Sequence, residues 1–239
     1  MHTPTMQNPK TSTSRKSSGG VVDFIKTIVW AVLIAIGIRT VAFEPFNIPS
    51  GSMIPSLLIG DYLFVSKYSY GYSRHSFPLS MAPFQGRVME SVPQRGDVAV
   101  FKYPGDQGEG PHRTDYIKRI IGLPGDTVQV KAGVLHINDK PVQRVRIDDT
   151  VQGSGGMTTR STLYNETLPG GVTHRILEES DTERFDNTEV FKVPAGHVFV
   201  MGDNRGDSAD SRVFGPIDED LIVGRAFVRV WPFSRLGCI

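Results

Sequence analysis

The stretch YIKRIIGLPGDTVQVKAGVLHI (Tyr116–Ile137) reads as short strands separated by turns. β-branched and apolar residues dominate Tyr116–Ile121, Thr127–Lys131 and Val134–Ile137, and the Gly, Pro and Asp of Gly122–Asp126 reverse the chain between the first two. Ala132-Gly133 joins the last two as a hairpin turn. Runs of the same kind recur at Tyr62–Ser66, Asp97–Lys102, Glu189–Val193, His197–Met201 and Ile222–Trp231. No heptad or long 3.6-residue apolar stripe appears after residue 45. The expected fold is therefore mainly β, an antiparallel domain. Residues 148–187 are polar, contain Gly153-Ser154-Gly155-Gly156, and interrupt the core pattern, so they are expected to form a small inserted β subdomain with mobile loops. No internal repeat is visible.

Upstream the composition changes. Residues 1–20 are Ser, Thr, Lys and Gly with little apolar content, the signature of a disordered tail. VVDFIKTIVWAVLIAIGIRTVAF (Val21–Phe43) follows, and its uncharged run Thr27–Ile38 is short enough for a buried helix or a signal-peptide core. With Lys26 and Arg39 snorkelling outward, the full stretch reaches the length of a transmembrane helix, about 30 Å. Lys10, Arg15 and Lys16 precede it, which puts the N-terminus in the cytoplasm and residues 44–239 outside. The chain of 239 residues carries a net charge of +1, so nothing points to nucleic acid as a partner. A lone cysteine, Cys238, excludes an intrachain disulfide. His2, His75, His112, His136, His174 and His197 have no metal-ligand spacing, so no metal or other cofactor is expected.

Chemistry concentrates in three segments. Pro49-Ser50-Gly51-Ser52-Met53 puts a serine at the tip of a Pro/Gly-bounded turn. Its hydroxyl is a weak nucleophile and needs a base within hydrogen-bond reach. Lys118 lies among Tyr116, Ile117, Ile120 and Ile121, where burial can hold a lysine neutral; a downward shift of about three pKa units costs about 4 kcal/mol. Met201–Arg212 (MGDNRGDSADSR) is a polar loop with Ser208, Asp210 and Arg212 at alternate positions, as in the supporting shell of a site.

Together with Arg95-Gly96-Asp97-Val98 and Gly122-Leu123-Pro124-Gly125-Asp126, these segments resemble, in order, the bacterial type I signal peptidases (leader peptidases) from about Phe43 to Phe233. The resemblance implies a membrane-anchored serine endopeptidase of the inner membrane that removes signal peptides from secretory preproteins after Ala-x-Ala sites. It makes Ser52 the nucleophile, Lys118 the general base, and Ser50 with the Ser52 N–H the oxyanion hole. It makes Ser208 the residue that orients the lysine, with Asp210 and Arg212 as an ion pair holding that loop. Asp203, Asn204 and Arg205 read as loop-fixing residues. Ile48, Pro49, Met53, Leu57, Tyr116 and Ile117 would line shallow apolar pockets, and the substrate would pair as an added strand. A related branch uses His for Lys, which draws attention to His112, but Tyr-Ile-Lys-Arg fits the bacterial form. Tyr68–Met89 is aromatic and Met-rich without helical period; it either folds over the core or dips into membrane lipid. Two other readings compete: a self-cleaving repressor-type protease, which leaves Val21–Phe43 unexplained, and a non-catalytic membrane-tethered β module, which leaves the chemical residues unexplained.

Overall fold

Gly19–Val41 forms one helix, α1, of 23 residues. At 1.5 Å per residue it is about 34 Å long, enough for the roughly 30 Å of a bilayer core. Val21, Phe24, Ile28, Trp30, Leu33 and Ile34 are all exposed, so it is apolar around its circumference and suited to crossing a membrane. The computed structural model describes residues 19–77, 86–106, 113–154, 157–180, 182 and 184–239. The expected disordered tail, except its last two residues, lies outside these, as do His112 and positions 78–85 of the aromatic loop. The helix as far as Gly37 is one compact unit and Ile38–Ile239 is another.

The helix ends earlier than expected. Phe43 is not part of the span but opens β1 (Phe43–Asn47), opposite Ser66, with its ring 5.2 Å from that of Phe227 and 5.7 Å from that of Tyr68. Strand pairing claims its backbone, so the helix must stop before it.

In chain order there follow β2 (Tyr62–Ser66), β3 (Val98–Lys102), β4 (Asp115–Gly122), β5 (Thr127–Lys131), β6 (Val134–Ile137), β7 (Lys140–Pro141), β8 (Gln143–Ser154), β9 (Met157–Thr167) and β10 (Thr173–Glu178). Then come β11 (Phe191–Lys192), β12 (His197–Met201), a short α2 (Ser211–Phe214), β13 (Ile217–Asp218), β14 (Ile222–Trp231) and β15 (Gly237–Cys238). All the pairings between these strands are antiparallel. The main sheet runs β1-β2-β14-β3-β4-β12-β13, with β15 on β14; β11-β5-β6-β7 and β10-β9-β8 form two smaller sheets.

The main sheet is covered on both faces. In β3, Val98 and Val100 join Ile48, Met53, Leu57, Leu63 and Val65 in one core cluster, whereas Ala99 and Phe101 join Ile120, Val200 and Ile222 in another. Successive side chains of a strand point to opposite faces, so burial on both explains why VAVF shows no polar alternation. A third cluster packs Ile121, Phe199 and Met201 against Val128, Val130, Leu135 and Ile137 of the β5–β6 hairpin.

The polar segment forms the β8–β9–β10 sheet, which begins at Gln143. Val145 and Ile147 of β8 are exposed, while Ile176, Leu177 and Glu178 of β10 are buried. Among the described residues β9 buries the polar Ser161 and Glu166, and the apolar burial within the strands falls on β10, which is why so little of this sheet shows in the apolar pattern. Within the described part of the aromatic loop, Tyr70 to Ser76 fold over the core, where Tyr70 is buried and donates to Asp97 at 2.9 Å and Ser73 and Ser76 bond the β14 carbonyls of Ile222 and Val223, whereas Tyr68, Val88 and Met89 are exposed.

The start of β1 is fixed by a charge. Lys67 is 1% exposed, its N–H donates to the Ala42 carbonyl, and its Nζ lies 2.8 Å from Glu44 Oε2. Glu44→Gln is predicted to lower stability by about 2–3 kcal/mol, less than a fully buried pair because Glu44 keeps some solvent. Adding Lys67→Met should restore most of the loss, as read by thermal unfolding in detergent.

Candidate active site

Ser52 sits on a turn nailed to the core from below. Ile54 N–H donates to Gly51 O at 3.0 Å and Leu57 N–H to Met53 O at 2.9 Å, while Met53 and Leu57 are fully buried. This is an isolated turn, not a helix, so no helix dipole acts on the serine. Ser50 Oγ lies 3.4 Å from Ser52 Oγ, on the exposed side of the turn.

Lys118 reaches the serine from β4. Alternation puts Tyr116, Lys118 and Ile120 on one face, and the strand partner of Lys118 is Ala99, a small residue. Lys118 is 4% exposed; its Nζ donates to Ser52 Oγ at 2.7 Å and to Ile117 O at 3.0 Å, and lies 5.4 Å from the Tyr116 ring centroid. Burial drives the Lys118 pKa down to about 8, partly opposed by Asp210, Asp203 and Asp207 and helped by Arg212. The same short contact serves both protonation states: the ammonium donates to Oγ, and the neutral amine accepts from it.

The Met201–Arg212 loop closes the back of the site. Asn204 N–H donates to Ser52 O at 3.1 Å and its side chain to Gly51 O at 3.3 Å. Asp203 pairs with Arg119 at 2.6 Å, Arg205 with Glu166 at 2.5 Å and Arg212 with Asp210 at 2.9 Å, all buried. Asp210 also accepts from Gly202 N–H at 3.0 Å. Burial alone would raise the Asp203 and Asp210 carboxyls, yet their arginine partners hold both below the usual range. Gly202 is needed for its size: a Cβ there would sit 2.5 Å from Ser52 O and 2.3 Å from Ser208 Oγ.

A cleft of about 320 Å³ opens beside the serine, lined by Pro49–Ser52, Thr114–Lys118, Asp207 and Ala209. It brings together Ser50, Ser52, Lys118, Pro49, Tyr116 and Ile117 of the residues expected there. Ile48, Met53 and Leu57 are corrections: each is at most 2% exposed, packed in the core beneath the turn, so they are its floor and not the cleft wall. Ser208 is another. It is buried and its hydroxyl helps hold the Asp210 carboxyl down; among the described residues the Lys118 ammonium bonds Ser52 and the Ile117 carbonyl, not Ser208. Thr114, Asp115, Asp207 and Ala209 were not foreseen as lining residues, although all flank motifs that were.

Comparison with known proteins bears on this geometry. The family model described as signal peptidase, peptidase S26, matches residues 21–231. The signal peptidase I of Rickettsia canadensis is 40% identical over 196 residues, 79% of this chain and 71% of that protein. That of Rickettsia typhi is 39% identical over 220 residues, 88% of this chain and 80% of its own. The chain belongs to the S26 signal peptidase family. A crystal structure of a signal peptidase I from Enterococcus faecalis is 26% identical, covers 56% of this chain and 97% of its own, and superposes with a TM-score of 0.33, too low to bear on architecture. As an S26 signal peptidase the chain is a peptidase, and its apolar N-terminal helix makes it a membrane-anchored one.

Gly202→Ala is predicted to push the Ser52 turn away from Lys118. Displacement of about 1 Å costs about a hundredfold in rate. Preprotein cleavage should fall by about that factor with KM little changed, measured by gel assay on a preprotein substrate.

Proposed function

We propose that the chain is a Ser–Lys dyad endopeptidase that cuts signal peptides from exported preproteins after small-x-small sites. The observation that carries this reading is the 2.7 Å contact between Lys118 Nζ and Ser52 Oγ in a site where both residues are buried. Ser52 Oγ attacks the scissile carbonyl carbon while neutral Lys118 takes the hydroxyl proton. The tetrahedral oxyanion accepts hydrogen bonds from the Ser52 N–H and the Ser50 hydroxyl, donors typically worth about 3–4 kcal/mol each. Collapse breaks the C–N bond, and the Lys118 ammonium returns its proton to the leaving amine. Water, deprotonated by the same lysine, then hydrolyses the acyl-enzyme and regenerates Ser52.

Strand pairing supports the substrate geometry. Asp115–Arg119 pair with β3 on one side, whereas β12 joins β4 only from Arg119 onward. Among the described residues no strand pairs with the other side of Asp115–Lys118, which leaves an edge on which an extended peptide can add as a strand. Pro49, Tyr116 and Ile117 offer it shallow apolar walls that admit alanine and clash with large side chains. The basic residues Lys10, Arg15 and Lys16 before α1 favour a cytoplasmic N-terminus and a catalytic domain on the outer face of the inner membrane.

Ser52→Ala and Lys118→Ala should each abolish preprotein cleavage without unfolding the protein. Activity should rise as pH passes up through about 8, because the base works only after losing its proton. Lys118→Arg should be inactive at every pH, since guanidinium keeps its proton; an active arginine variant would show that position 118 supplies only a fixed charge. In spheroplasts, external protease should digest sequence after α1 and spare the tail before it.

A further inference from the structure

The walls of the cleft differ in chemistry. Pro49, Tyr116 and Ile117 line it with apolar surface, while Asp207 lines it from the loop between β12 and α2. Two carboxylates border the space, but they are not equivalent. Asp115 is neutralised by Lys102 at 2.8 Å. Asp207 is exposed and forms no hydrogen bond or ion pair among the described residues. Once Lys118 has lost its proton, the charge of Asp207 is left unbalanced within the cleft. Asp207 and Lys118 line the same cleft, so a peptide seated in it comes within reach of the Asp207 charge.

A substrate added along the edge of Asp115–Lys118 is extended, and its side chains alternate. If the two small residues of a small-x-small site enter the apolar wall, the residue x between them turns the other way. We propose that Asp207 reads the charge of x, favouring lysine or arginine there and disfavouring aspartate or glutamate. This inference rests on the small-x-small reading above. Asp207 acts here as a specificity determinant, not as part of the proton-transfer machinery.

The test uses the full-length protein in detergent and four peptides identical except near the cut. Three carry Ala-Lys-Ala, Ala-Gln-Ala and Ala-Glu-Ala; the fourth replaces the alanine before the cut in Ala-Gln-Ala with phenylalanine. An exposed charge pair supports a preference of about fivefold, so kcat/KM for Lys should exceed that for Glu by about that factor, with Gln between. The preference should shrink as salt is raised. Asp207→Asn should level the three peptides, and Asp207→Lys should reverse their order. Asp207→Asn should also move the acidic limb of the pH profile down, equally for all three, which separates tuning of Lys118 from selection of substrate. Equal rates with Lys and Glu in the unmodified enzyme, or a preference that survives Asp207→Asn, would overturn the proposal. Cleavage of the phenylalanine peptide as fast as its parent would instead sink the small-x-small reading, a result distinct from the loss of charge preference.

Discussion

A lysine can take a proton from serine only while it is itself uncharged, and in water at neutral pH it almost never is. Holding Lys118 near pKa 8 instead of 10.5 removes about 3–4 kcal/mol of charge stabilisation. The fold supplies this through desolvation. Lys118 projects from the middle of β4, paired with the small Ala99 of the buried strand β3 and one residue short of where β12 joins. A surface lysine at the same distance from Ser52 would stay protonated and could only donate to Oγ. The sheet buried on both faces is thus a chemical requirement as much as a mechanical one.

Three aspartates oppose that effect. Asp210, Asp203 and Asp207 all favour the ammonium, against the larger effect of burial. Two are bound to buried arginines, Asp203 to Arg119 and Asp210 to Arg212, so each presents Lys118 with a paired charge. The same pairs fix the loop whose Asn204 grips the carbonyls of Gly51 and Ser52. Removing either arginine would leave a bare carboxylate near the lysine and a loose serine turn. Electrostatic tuning and positioning therefore depend on the same side chains.

Much of this was legible in the sequence, unevenly. Tyr62–Ser66, Thr127–Lys131, Val134–Ile137, His197–Met201 and Ile222–Trp231 are strands with the expected limits, because β-branched runs bounded by turn residues leave little choice. β8 and β9 were far less visible as strands, since a sheet that buries mainly one edge strand has no apolar period to show. Glu189–Val193 shortens to Phe191–Lys192, the two residues that pair with β5, while Val193 bonds the turn residues Gly125 and Asp126 instead. Chemistry alone offered Ser52 and Lys118 as candidates, and the family resemblance paired them; they meet at 2.7 Å. Which apolar residues bound the cleft was not: Ile48, Met53 and Leu57 are apolar in the way that Tyr116 and Ile117 are, and only the path of the turn decides which become floor and which become wall.

Proton transfer from Ser52 turns on the charge of one amine. Its direct measurement is the titration of Lys118 in the full-length protein, by NMR of lysine amines carrying 13C-labelled methyl groups, with Lys118→Met to assign the signal. A signal absent from that variant that titrates near pH 8 is the predicted result. Titration at the ordinary lysine value, about 10.4, would mean that the amine stays charged where the enzyme works, and would contradict its role as the base.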